Sequence, residues 1–295
     1  MLVDCHMHLA TPEAMAAYNE PFASGAAFYE KSSLSALHGR VDRAVSISDT
    51  VDELRRCGAV AAVVVNVDAS FRWKTKFPNE KMVQTLAPYG DFFIPFASVD
   101  PRYGKESVAE LRRAFADLGC VGLKIHPSYQ EVYPNDRELM YPLYELCSEF
   151  GAPILFHAGL TMLSSAPIKY SQPIYLDEVA IDFPKMKIII AHWGWPWIDE
   201  VLAILWRNRN VYVDLSGHLP RRLSPAVWHY MQMPGLAERF LFGSDFPFLK
   251  PSEMLKAYEE FTQWHCPLCQ TTEYWKEGVK ESFLGQNFLR MISKE

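Results

Sequence analysis

The chain has 295 residues, 49% hydrophobic and 22% charged, and a net charge of −6 from 29 basic and 35 acidic side chains. That length and balance belong to a globular protein with a large buried core, and exclude disorder, collagen and coiled coil as its main state. No basic stripe that could neutralise phosphates is present, which excludes a general nucleic-acid binder. The longest apolar run, Ala59–Val65, falls far short of the roughly 20 residues that span a bilayer. The opening MLVDCHMHLA lacks the basic and apolar regions of a secretory signal. Cysteines 5, 57, 120, 147, 266 and 269 are scattered, which fits a reduced, cytoplasmic protein better than a disulfide scaffold.

In chain order, runs rich in Val, Ile, Leu and Phe predict strands at 2–8, 59–67, 92–99, 121–126, 153–157, 187–192, 210–215 and 240–245. Helical patterns lie between them. Segment 107–118 places Val108, Leu111, Phe115 and Leu118 on one face, with Gly119 as its C-cap. Segments 138–150 (ending at Gly151), 197–208 and 251–264 repeat the pattern. Continuous apolar strands alternating with helices predict a parallel sheet covered by helices. The fold class expected is therefore α/β, a (β/α)8 TIM-like barrel forming one domain over 1–295. An open doubly wound sheet is the alternative, but no glycine-rich phosphate loop follows any strand. Segment 11–49 has no strand pattern and is expected to form an irregular loop or lid after the first strand. Segment 266–295 is expected to form two closing helices.

In such a barrel the active site lies at the C-terminal ends of the strands. Those ends carry His6, His8, His126, His157, His192 and Asp245. His6 and His8 are two apart on a strand, so both imidazoles enter the lumen and reach one ion. Asp245 follows a buried run, where a carboxylate is costly unless paired or bound to a cation. Three imidazoles and a carboxylate suit a borderline divalent ion such as Zn²⁺, with Mn²⁺ and Fe²⁺ able to share the set. His192 is the proton-transfer group or a further ligand. Lys124 shares a face with His126 and is expected to be a deep lumen cation. Trp193 and Arg221, which follow the sixth and seventh strands, are candidates to line a substrate, as are His126 and Lys124. Cys266-Pro-Leu-Cys269 is a lone pair of thiols with only His265 near it in sequence. It reads as connecting sequence, since a structural zinc site needs four ligands.

The HxH of the first strand, GLKIHPSYQ, PILFHAG, IIIAHWG, FGSDFP and the terminal LGQNFLRMI resemble the amidohydrolase superfamily. They are most similar to its amidohydrolase-related branch, which includes aminocarboxymuconate semialdehyde decarboxylase-like proteins. The resemblance runs from residue 2 to residue 292. It implies that His6, His8, His157 and Asp245 hold one divalent metal, with His192 as the catalytic histidine and Asp245 as a second proton acceptor. It also implies an enzyme acting on a small molecule, and family habit favours a homodimer. Two activities follow: hydrolysis of an ester, lactone or amide bond, or non-oxidative decarboxylation of an unsaturated or aromatic carboxylic acid. A catalytically silent barrel acting as a binding protein is the third reading. The complete ligand set argues against it.

Overall fold

The computed structural model describes residues 1–17, 44–161 and 163–293. Eight strands lie side by side in sequence order: β1 (Leu2–His8), β2 (Ala59–Val65), β3 (Phe93–Ser98), β4 (Gly122–Ile125), β5 (Ile154–Phe156), β6 (Ile188–Ile190), β7 (Val211–Asp214) and β8 (Phe240–Leu241). Every neighbouring pair is parallel. The segment after β8 closes the ring on β1: Cys5 N–H donates to the Phe242 carbonyl (2.9 Å), Asp245 N–H to His6 (2.8 Å) and His8 N–H to Phe246 (2.7 Å). The fold is the expected (β/α)8 TIM barrel.

Helices cover the outside: α1 (Ile47–Arg56), α2 (Asn79–Leu86), α3 (Lys105–Ala116), α4 (Tyr141–Phe150), α5 (Tyr175–Asp182), α6 (Ile198–Arg207), α7 (Pro225–Tyr230) and α8 (Pro251–Glu260). The expected cap of α4 forms: Gly151 adopts a left-handed conformation and donates its N–H to the Cys147 and Ser148 carbonyls. Alternation along the strands divides the core. Leu123, Ile154, Ile188 and Val211 pair across one face and join the outer cluster, against the helices. Lys124, Leu155 and Ile189 pair across the other face, which fills the lumen. Phe288 and Met291 of the last helix pack into that inner cluster.

Most of segment 11–49 lies outside the described residues. Its edges carry a helical turn, Pro12–Ala16, capped by the Thr11 side chain, and the start of α1. The C-terminal expectation is corrected. Helix 251–264 stops at Glu260, and strands β9 (Gln263–Cys266) and β10 (Thr271–Tyr274) form an antiparallel hairpin. Along β9, Trp264 and Cys266 are buried and Gln263 and His265 exposed, so the local period is two. β-branched Thr271 and Thr272 favour the partner strand. One helical run, Val279–Ile292 with a π-turn at Ser282–Gln286, then closes the chain in place of the two helices expected. Among the described residues no helix is long and apolar enough to cross a membrane.

Candidate active site

The site is built where β1, β7 and β8 end. On β1, Val3 and Cys5 belong to the inner cluster, and Met7 belongs to the outer one. The pairing with β2 shifts register between Asp4 and Met7. That irregularity leaves His6 and His8 flanking an outward Met7, so both imidazoles face the lumen, as the spacing predicted. Their ring centres lie 5.4 Å apart.

Asp214, at the end of β7, organises this side. It accepts hydrogen bonds from His6 Nδ1 (3.0 Å), from the backbone N–H groups of His192 (3.1 Å) and Ser216 (3.0 Å), and from the Ser216 hydroxyl. Burial pushes its carboxyl up, but the facing His6 and these donors outweigh burial and hold it well below the usual carboxylate range. His6 is driven the other way. Burial and the adjacent Lys124 charge lower it to about 3, so it is neutral. With Nδ1–H donated to Asp214, the His6 Nε2 lone pair faces the lumen. His192 has the same orientation logic: its Nδ1 meets the Ser216 carbonyl (3.3 Å) and hydroxyl (3.0 Å).

Asp245 completes the cluster. Its Oδ1 lies 3.3 Å from His8 Nε2 and 3.8 Å from His6 Nε2, and its Oδ2 lies 4.0 Å from His192 Nδ1. Burial raises this carboxyl, but the surrounding histidines dominate and hold it well below the ordinary range. Asp245 (φ +62°), His192 (φ +55°) and Trp193 (φ +45°) all adopt left-handed backbone, a conformation that costs roughly 1–3 kcal/mol outside glycine. Two strand ends are thus held in strained turns that aim site residues inward.

A divalent ion fits this donor set. Donor atoms of His6, His192 and Asp245 lie within 4.8 Å of one another, a group that takes in His192 and leaves out the expected ligands His8 and His157. Asp245 Oδ1 is buried with no hydrogen bond of acceptable geometry, despite two ring nitrogens close by. Lone pairs of nitrogen and oxygen converging in this way are what a cation satisfies. Gly217 keeps the space open: a Cβ there would lie 3.1 Å from Asp245 Oδ2 and 3.3 Å from His192 Nδ1.

The other predicted residues are placed differently. Lys124 is 1% exposed, and its Nζ lies 3.0 Å from His6 Nε2. Burial lowers its ammonium to about 8. It is the deep lumen cation expected. His157 lies across the lumen outside the tight group. Its Nε2 donates to the Leu160 carbonyl (3.0 Å), and its ring stacks on His126 at 3.9 Å. His126 in turn stacks on Tyr129 at 3.5 Å, and its Nδ1 accepts the Tyr129 N–H (3.4 Å). Burial holds both imidazoles well below their ordinary range. Trp193 is 2% exposed and packs edge-on against His218 of the loop after β7. Arg221 is exposed on the turn Pro220–Arg222.

Sequence reasoning overlooked Asp214, Ser216 and Gly217. Asp214 ends the apolar run VYVD just as the histidines end theirs, so the signal that exposed them was present here too.

Residues 3–287 match the family model described as amidohydrolase, and the chain belongs to that family of enzymes. A dihydroorotase of Shewanella sp. (strain ANA-3) is 26% identical over 181 residues, 58% of this chain. The chain spans about half the length of that relative, 52%. A 2-amino-3-carboxymuconate-6-semialdehyde decarboxylase of Dictyostelium discoideum is 21% identical over 286 residues, covering 82% of this chain and 75% of its own. Among solved structures, an uncharacterized TIM-barrel protein of Bordetella bronchiseptica superposes with a TM-score of 0.76 at 22% identity, over 99% of this chain and 98% of that one. A dihydroxybenzoic acid decarboxylase of Polaromonas sp. JS666, with bound manganese and the inhibitor 2-nitroresorcinol, gives 0.69 at 16% identity, over 99% and 96%. At such identities the two superpositions establish the fold alone.

Proposed function

We propose that this protein is a metal-dependent hydrolase acting on an ester, lactone or amide bond of a small polar substrate. One observation carries the reading: the buried Asp245 Oδ1, without a hydrogen bond, 3.3 Å from His8 Nε2. A carboxylate oxygen so placed stays ionised and could accept a proton from a water that a bound ion has made acidic, the first step of hydrolysis. His6, His8 and Asp245 would hold the ion, with His157 joining through Nδ1. Zn²⁺ suits these ligands best. When bound, such an ion polarises a substrate oxygen and acidifies water. Asp245 accepts the water proton. His192, anchored through Nδ1 on Ser216, would take that proton from Asp245 on Nε2 and pass it to the leaving group. Lys124 and His126, buried in the lumen wall, would orient a polar substrate group, and the exposed Arg221 would meet a substrate anion.

The second reading, non-oxidative decarboxylation, is favoured by the breadth of the match to the Dictyostelium decarboxylase. In that case His192 delivers a proton to carbon as CO2 leaves. The test has two parts. Wild-type protein purified without chelators should carry about one more divalent ion per chain than Asp245→Asn. Lactones, esters, amides and aromatic carboxylic acids are then screened in water labelled on oxygen. Label in the product supports hydrolysis. CO2 evolution with no oxygen label in the organic product replaces it with decarboxylation, and equal metal content in the two proteins overturns both.

A further inference from the structure

The closing hairpin brings together side chains that the barrel chemistry does not use. β9 and β10 are joined by Pro267–Gln270, with Cys266 opposite Thr271 and Trp264 opposite Glu273. Cross-strand partners share a face, so Cys266 and Glu273 point the same way, and the exposed His265 points the other way. Trp264 anchors this inner face in an aromatic cage, 5.1 Å from Trp228 and 6.0 Å from Phe261. Trp228 precedes His229 on α7, so the same packing sets His229 against the hairpin. His229 Nδ1 lies 3.6 Å from Cys266 Sγ. Ligand atoms of His229, Cys266 and Cys269 all fall within 4.8 Å of one another. Glu273 Oε1 is 3.2 Å from Cys269 Sγ. The Gln270 N–H closes the turn on the Cys266 carbonyl at 2.9 Å, with Gln270 itself at φ +58°.

We infer that Cys266, Cys269 and His229 form a second, structural metal site for Zn²⁺, with Glu273 at the fourth vertex. The residues are a C-x2-C pair on a tight turn plus one imidazole and one carboxylate, all of them zinc ligands at suitable spacing. Thiolates select zinc over the hard cations. A hairpin of two four-residue strands is marginal by itself in water, and an ion tying it to α7 would fix it to the barrel. Binding releases the two thiol protons to solvent, so affinity falls as pH falls. The site is independent of the lumen cluster.

Cobalt(II) added to the reduced, metal-free full-length protein tests the assignment. A near-ultraviolet sulfur-to-cobalt charge-transfer band requires a thiolate ligand, and the lumen set of His6, His8, His157 and Asp245 contains none. The band should form, disappear on adding Zn²⁺, and be lost in Cys269→Ser. Cys269 is exposed, so that variant should keep the wild-type circular dichroism and the ion that Asp245 holds. Glu273→Gln should keep the band while weakening cobalt binding by roughly tenfold or more, the scale seen even for residues that only support a ligand. Absence of the band in wild type, or its survival in Cys269→Ser, overturns the site. A Cys266–Cys269 disulfide in protein purified without reductant, with no zinc bound, does the same. Unchanged cobalt affinity in Glu273→Gln removes the fourth vertex.

Discussion

His6 and His157 both end apolar strands and both face the lumen, yet they are held by different physics. His6 donates Nδ1–H to a buried carboxylate, which fixes its tautomer and turns Nε2 toward Asp245. His157 is held by ring stacking on His126 and by a bond from Nε2 to the Leu160 carbonyl. The β1–β7–β8 side of the lumen is thus arranged by charge, while the β4–β5 side is arranged by burial and π-contact. His6 is already oriented, and the ion has only to displace the Lys124 ammonium, 3.0 Å from Nε2. A ligand engaged with backbone must present its other nitrogen, Nδ1, or give up a hydrogen bond.

Replacing one histidine on each side tests this contrast most strongly. A four-ligand zinc site worth about 12 kcal/mol divides into roughly 3 kcal/mol per ligand, or about 100-fold in affinity. His6→Ala should reach that loss, because it removes a ligand already oriented by Asp214. His157→Ala should lose less, about tenfold, since its ligand bond forms against existing contacts. Competition with a chelating dye measures both. Equal losses would erase the distinction between the two sides.

Asp214→Asn is the next sharpening. An amide cannot hold the Nδ1–H tautomer of His6 as a carboxylate does, and carboxylates behind ligating histidines are worth 10–100-fold in metal affinity. The variant should lose that much while keeping the same metal count at saturation. If affinity is unchanged, the four bonds that Asp214 accepts are scaffolding alone.

The charged side of the lumen was also the more legible in the sequence. HxH spacing on a strand dictates a shared face, and that held even across the register shift after Asp4. Asp245 was legible because a carboxylate after an apolar run needs a partner. Asp214 met the same criterion and was passed over; its main partner, His6, lies 208 residues away in the chain. The His157 tautomer depends on a loop carbonyl that no periodicity encodes. The hairpin was misread because QWHC and TTEY are too short to distinguish strand from helix by period. Its nearest histidine in sequence, His265, points away, while His229 arrives through the packing of Trp264 on Trp228.

The stacked side should reveal itself in the pH dependence of stability, the smallest of these effects. His126 is 5% exposed, and its Nδ1 accepts the Tyr129 N–H, so a second proton would break that bond and place a charge among Tyr129 and His157, near Lys124, His192 and His8. The folded chain therefore keeps His126 neutral well below the ordinary histidine value, and the unfolded chain binds the proton near 6.5. Below that pH the unfolded state holds more protons, so stability is present above about pH 6.5 and falls as the pH drops. Each such histidine contributes a slope of up to about 1.4 kcal/mol per pH unit. Urea unfolding of chelated protein between pH 7 and pH 5 should show this loss, and His126→Asn should flatten it by about one histidine's share. His6 adds to the wild-type slope in the same direction, because its folded value of about 3 is also depressed. An unflattened slope in His126→Asn would mean that the stack tolerates the charge. The two sides of the lumen would then differ in geometry but not in electrostatics.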